Sequence, residues 1–329
     1  MSGSNIISFN EALNIVNQKV NAVVYPEHPQ GLYVPVQYIL SLKSKKVRPV
    51  LTILAHNLYK EDVSEAVSPA LAWEIFHNFT LMHDDLMDKA EVRRGQPVVH
   101  KLWGENTAIL SGDAMLILSY QYMADCPPAH LKSLLDLFSK TAMDICAGQQ
   151  YDMDFEKRTD VSVDEYINMI RLKTAVLLGA ALKTGAIIGG APASDAEKLY
   201  DFGVNTGLAF QIKDDLLDVY GNPDIFGKQT GGDILCNKKT FLLINALNLA
   251  SGDDEKLLLK QITEECTDAQ TKIKIVTDIY NRLNVKEIAE KEMDGFYQKA
   301  LTSLDAVQVE NNKKTILLNF AGELMNRES

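Results

Sequence analysis

SPALAWEIFHNFTLMHDDLMD, residues 68–88, is the stretch from which the rest of the chain can be read. Ser68-Pro69 sets a helix cap before a proline, which suits a first helical position because its missing N–H would lack a partner there anyway. The apolar run that follows ends in Asp84-Asp85-Leu86-Met87-Asp88. A second apolar run, from about Asp195, ends the same way in Asp214-Asp215-Leu216-Leu217-Asp218. In each, the first and third aspartates are four apart and stack one turn from each other on one helix face. Like charges at that spacing repel by roughly 0.2–0.5 kcal/mol on an isolated helix. Carboxylates also oppose the negative end of the helix dipole. A chain that repeats this arrangement has a cation to place there. Oxygen ligands suit a hard cation, and magnesium takes one or two carboxylates plus phosphate oxygens while keeping several waters. Two such faces would hold magnesium between them and leave coordination sites for a diphosphate.

The flanking cations agree. Arg93-Arg94-Gly95 follows Asp88, and adjacent arginines fork onto phosphate oxygens. Lys45, Lys46 and Arg48 form a second basic group before Pro49. The glycine-rich break Tyr220–Asp233 reads as a mobile loop. Its Gly227-Lys228 is no nucleotide P-loop, because Gly221 to Gly227 is one residue too long and Gln229 stands where Ser or Thr is needed.

Helical signals dominate elsewhere. Ser8/Glu11, Ser162/Glu165 and Ser194/Glu197 each fit a capping box. Prolines are absent from Ala129 to Ala191 and from Asp224 to Ser329, and strand alternation is hard to find. The expectation is an all-α chain, a single large helical bundle of about ten or more helices in one domain, 1–329.

Composition narrows the class. The 329 residues hold 33 Lys plus Arg against 44 Asp plus Glu, a net charge of -11, which argues against nucleic acid. Cys126, Cys146, Cys236 and Cys266 are scattered, as in a reducing cytoplasm. No targeting segment is read at the N-terminus, and the run Thr174–Pro192, interrupted by Lys183, reads as a buried helix instead of a membrane span.

The ordered set of motifs resembles the trans-isoprenyl diphosphate synthases, or polyprenyl synthetases, over nearly the whole chain. Asp84–Asp88 with Arg93-Arg94-Gly95 looks like the first aspartate-rich motif, and Phe210–Asp218 looks like the second. Gly227-Lys228 through Asp233, Lys238-Lys239-Thr240, Gly148-Gln149 and Lys173-Thr174 also fall in family positions. The resemblance implies an isoprenoid-synthase bundle around a central cavity, a homodimer, and magnesium bound by Asp84, Asp85, Asp88, Asp214, Asp215 and Asp218. It implies that Arg93, Lys173, Lys228 and Lys238 grip the allylic diphosphate, that Lys45, Arg48, His77 and Arg94 bind isopentenyl diphosphate, and that Thr174 and Gln211 are also substrate-binding. One departure stands out: Lys43-Ser44 replaces the usual Gly-Gly, which puts close backbone approach to that diphosphate in question. The alternatives are a longer-chain synthase, a terpene cyclase-like lyase and a non-catalytic prenyltransferase subunit. Phe79, five residues before Asp84, is expected to floor the product cavity, with small Thr80 leaving depth open and Phe76 a second floor one turn down. That pattern looks most like a geranylgeranyl-type synthase, with farnesyl diphosphate as runner-up.

Overall fold

The computed structural model describes residues 6–221, 230–263 and 268–326. Among them are sixteen α-helices and one two-stranded hairpin, so the chain is all-α. Contacts divide it into two compact units, each assembled from separated segments.

The first unit takes Met1–Lys140, Ala180–Tyr200 and Val307–Ile316. It contains α1 (Phe9–Asn21), α2 (Gln30–Ser41), α3 (Val47–Asn57), α4 (Ser64–Met87), α5 (Val99–Trp103) and α6 (Glu105–Ala124). Ser8 and Glu11 form the expected capping box of α1. The cap read at Ser68 does not form. Helix α4 begins four residues earlier, where Asp62 accepts the Ser64 backbone N–H, and Pro69 lies inside the helix. The core centres on α4. Trp73, Phe76 and Phe138 pack ring on ring at 4.8–6.2 Å, and the Trp73 indole donates to Thr184 at 3.0 Å. The Ser194 capping box does not form either. Helix α10 (Ala193–Tyr220) starts before it, with the Asp195 and Ala196 amides on the Pro192 carbonyl. Asp195 is instead buried, accepting from Tyr59, Lys198 and the Gln308 amide.

The second unit takes Thr141–Gly179, Asp201–Ala306 and Leu317–Ser329. It holds the end of α7 (Leu131–Phe155), then α8 (Val163–Ile170), and five further helices between Gly232 and Asp305. Ser162 and Glu165 close the expected capping box on α8. Between α8 and α9 (Val176–Gly189) the chain makes a π-helical turn, Arg171–Ala175. Tyr166, Phe241, Leu258, Ile279 and Tyr280 build this unit's core. The run Val163–Gly189 is long and apolar enough to cross a membrane, but 72% of its most apolar window is buried, as in a core helix.

Gly185 supports the packing of α9 on α3. A Cβ there would lie 1.9 Å from the Thr52 carbonyl oxygen, on backbone that cannot turn aside. Gly295, in the helix Val285–Asp305, has nothing within 4 Å of its notional Cβ. Alanine is the better helix former by ~1 kcal/mol, whereas overpacking costs ~1–3 kcal/mol. Thermal unfolding should therefore show Gly295→Ala raising the midpoint and Gly185→Ala lowering it. Equal shifts would refute the close approach.

Candidate active site

In the first unit the α4 terminus and the segment after it carry one set of candidate residues. Asp85 is 3% exposed. Arg93 clamps it, donating from Nε at 2.9 and 3.0 Å and from Nη2 at 2.5 Å, with Asp84 4.0 Å away. Burial works against the charged guanidinium, but the hydrogen bonds and charge of Asp85 outweigh it and hold Arg93 above its ordinary value. Asp84 is half-buried and Asp88 exposed.

Arg93 and Arg94 diverge because they straddle a hairpin turn. Strands β1 (Val92–Arg93) and β2 (Gln96–Pro97) pair antiparallel, and both central residues take positive φ, 54° at Arg94 and 75° at Gly95. Positive φ at both positions is what a two-residue type I′ connection requires. Arg94 thereby reaches Asn78, its Nη1 donating to Oδ1 at 3.2 Å. At the preceding residue of α4, Arg48 Nη1 lies 3.0 Å from His77 Nε2. Burial, then the charges of Arg48, Arg94 and Arg93, push His77 well below its ordinary value, so it is the neutral acceptor. Burial also lowers Arg48 to about 10, with Glu74 opposing and Arg94 adding. Arg48 Nε is buried with no hydrogen-bond partner among the described residues.

The pattern at 43–46 resolves differently from the family expectation. Neither Lys43 nor Ser44 adopts a left-handed backbone, so glycine's conformational freedom is not needed there. Lys46 does, at φ 42°, as N-cap of α3. Lys46 is also the buried lysine of the group, its amine lowered by burial with Glu74 opposing, while Lys45 is exposed.

In the second unit Asp215 is 4% exposed and accepts from the Tyr166 hydroxyl at 2.5 Å and the Phe241 amide at 3.0 Å. Burial pushes it up to about 7; the Tyr166 hydrogen bond opposes this and the charge of Asp233 adds to it. Asp218 accepts the Asp233 amide at 3.0 Å and is likewise raised, by burial first and Asp233 second. Asp214 is half-buried beside them. Lys238 lies 3.8 Å from Asp233. Lys173, inside the π-turn, pairs with Asp152 at 2.6 Å, and Thr174 donates to Gln211 at 3.4 Å. Gly148 lets the π-turn approach, since a Cβ there would sit 2.3 Å from the Lys173 amide nitrogen. π-turns recur at functional sites. Lys228 lies outside the described residues.

Of the chain-length candidates, Phe76 is buried against Trp73 and Phe138, whereas Phe79 is half-buried between Phe76 at 5.6 Å and His83 at 4.9 Å. Thr80 turns its hydroxyl to the His77 carbonyl. Lys46, Glu74, Asn78, Asp152 and Tyr166 escape sequence reasoning as site residues. Two of these carried a signal: Lys46 as part of the basic run before Pro49, and Glu74 as a lone carboxylate between Trp73 and Ile75.

Among the described residues no three His, Cys, Asp or Glu side chains converge as a ready coordination sphere. The donors fit magnesium nonetheless: they are oxygens only, and this ion needs one or two carboxylates and completes its shell with water and phosphate.

An all-α chain with two aspartate-rich helix ends and arginines beside one of them is built for metal-assisted diphosphate chemistry. It belongs to the polyprenyl synthetase family, whose model matches residues 29–280. A geranylgeranyl diphosphate synthase of Methanosarcina mazei is 34% identical over 316 residues, 95% of each chain. A geranylgeranyl pyrophosphate synthase of Geoglobus acetivorans is 40% identical over 234 residues, 70% of this chain and 73% of the relative. A crystal structure of a geranylgeranyl pyrophosphate synthase matches with a TM-score of 0.93 at 40% identity, over 98% of this chain and 100% of that one. The synthetase of Pyrococcus horikoshii gives 0.91 at 30% identity, over 97% of each. The chain is a trans-prenyltransferase, an isoprenyl diphosphate synthase.

His77 makes a pH signature. Its folded pKa is depressed from 6.5, so its contribution to stability is full above about pH 6.5 and is lost as pH falls toward the folded value. Asp215 acts the other way: raised from 3.8 to about 7, its contribution is present at low pH and lost as pH rises through about 7. The informative quantity is therefore a difference. In metal-free protein, denaturant midpoints followed from about pH 8 to 5 should fall less for His77→Gln than for the parent. Identical slopes would mean that His77 protonates freely in the fold.

Proposed function

We propose that this chain condenses isopentenyl diphosphate with dimethylallyl, geranyl and farnesyl diphosphates and stops at geranylgeranyl diphosphate, with farnesyl diphosphate the runner-up product. The observation that carries the reading is the half-buried cation pair that α3 and the β1–β2 turn bring to α4, Arg48 at neutral His77 and Arg94 at Asn78, on the helix that ends in Asp84, Asp85 and Asp88. Arg48 Nε, buried and unpartnered among the described residues, is a donor in need of an oxygen.

In this reading Lys45, Arg48, His77 and Arg94 hold isopentenyl diphosphate. His77 accepts from Arg48 through Nε2, which leaves its proton on Nδ1 to donate. Asp84, Asp88, Asp214 and Asp218 supply oxygens to magnesium. Asp85 and Asp215 reach it only with the lone pairs left over by Arg93, Tyr166 and Phe241. Bound magnesium acts as a Lewis acid on the leaving diphosphate. Arg93, Lys173 and Lys238, with Lys228, Thr174 and Gln211, grip the allylic diphosphate. As the allylic C–O bond breaks, its electron pair leaves with the diphosphate, and these cations stabilise the growing charge. Asp152 holds the Lys173 ammonium in place. The isopentenyl double bond supplies the electrons of the new C–C bond, and a proton then leaves to the released diphosphate. The apolar helix faces keep water from the carbocation.

The whole chain serves as one synthetase domain, since the family match spans segments of both units. It works in the cytoplasm as a homodimer. Leu110 and Ile117, 61% exposed and two turns apart on α6, support pairing with a second copy, and sedimentation at twice 36.6 kDa tests it.

Chromatography of dephosphorylated products from each allylic primer, with magnesium, tests the function. The parent should end at the geranylgeranyl length. Phe79→Ala should lengthen the product by one or more prenyl units, and Asp84→Ala or Asp214→Ala should cut turnover by orders of magnitude with the thermal midpoint retained. Near-normal turnover in both aspartate variants would remove the metal assignment, and an unchanged product in active Phe79→Ala would remove Phe79 from the floor.

A further inference from the structure

Arg93 and Arg94, neighbours in sequence, are held by different chemistry. Arg93 meets a carboxylate directly. Arg94 meets the amide of Asn78, and behind Asn78 stands Glu74, 1% exposed. Asn78 Nδ2 donates to Glu74 Oε1 at 3.0 Å and to the Glu74 carbonyl at 2.8 Å, while its Oδ1 accepts from Arg94. Asn78 has no exposure of its own.

The orientation of this amide has one chemical solution. A carboxylate only accepts and a guanidinium only donates, so the NH2 must face Glu74 and the oxygen must face Arg94. A side-chain amide joins an acceptor to a donor while keeping the two charges apart. Direct contact with Glu74 would engage Arg94 in a forked pair like that of Arg93 with Asp85, and its N–H groups would be spent on protein. Through Asn78, Arg94 contributes one N–H to the fold. Arg94 also holds φ 54°, a region unfavourable for a non-glycine residue. Such a conformation persists where the surroundings hold it, and it points to function.

We propose that Asn78, fixed by buried Glu74, is a positioning residue for the isopentenyl diphosphate site, keeping Arg94 aimed and its remaining N–H groups available to the diphosphate. This rests on the reading of Arg94 as a contact of isopentenyl diphosphate.

Steady-state kinetics of the full chain with magnesium test it, using Asn78→Ala, the nearly isosteric Asn78→Leu, and Arg94→Ala, with thermal midpoints alongside. Both Asn78 variants should raise KM for isopentenyl diphosphate about tenfold, as loss of one charge-assisted hydrogen bond does, and change KM for the allylic substrate less than about twofold. If Arg94→Ala raises the isopentenyl KM and neither Asn78 variant does, the relay is overturned and the role of Arg94 stands. If both KM values and the midpoint move together in the Asn78 variants, Asn78 is structural only and the proposal fails. If Arg94→Ala leaves the isopentenyl KM unchanged, the reading of the site fails and the relay falls with it.

Discussion

Three carboxylates at the end of one helix repel one another and oppose its dipole, so each aspartate-rich helix must neutralise or hydrogen-bond one of them. The middle residue takes that part in both, by different means. Asp85 is matched by a full charge, the Arg93 guanidinium. Asp215 is met by neutral donors, the Tyr166 hydroxyl and the Phe241 amide, and burial pushes it up to about 7. The second arrangement holds its carboxylate near the balance between its two forms at neutral pH. Asp85 is thereby tied to the hairpin eight residues on, and Asp215 to residues 49 and 26 away in sequence.

Backbone devices then place the cations. The hairpin of Val92–Pro97 is too short to matter for packing, yet its two positive-φ residues send adjacent arginines to acceptors seven residues apart on α4, Asn78 and Asp85. At ~1.5 Å per residue that separation is roughly 10 Å along the helix. In the other unit the π-turn carries Lys173 to Asp152, and Gly148 leaves room for it. Neither device is a helix or a strand of ordinary length. Each sets where a charge stands.

Their brevity is why they were not legible beforehand. The aspartate triplets announce themselves by spacing, because a four-residue interval has geometric meaning on a helix whatever surrounds it. The capping boxes of Ser8 and Ser162 are local and formed as read. The cap before Pro69 at Ser68 and the capping box at Ser194 failed where competing partners won: Asp62 opened α4 early, and Pro192 opened α10 one residue before Ser194. Tyr166 and Asp152 act through tertiary contacts 49 and 21 residues away in sequence, which no spacing rule reports. Lys46 was visible as part of a basic run, but its burial and left-handed backbone were not.

The neutrality of His77 follows from the same accounting of charge. Lys46, Arg48 and Arg94 are three buried or half-buried cations, and Glu74 is the one carboxylate that opposes all three. With His77 neutral, the group carries a net charge of +2. A protonated imidazole would add a third uncompensated charge among guanidiniums in a medium that screens poorly, and burial together with those neighbours excludes it. A net +2 is the complement of a diphosphate ester, which brings two or more negative charges and acceptor oxygens to match the donors. Under the proposed function, the repulsion among the cations would be relieved by such an anion. The group differs in this from the structural network of Asp195, where donors and acceptor are already matched within the fold.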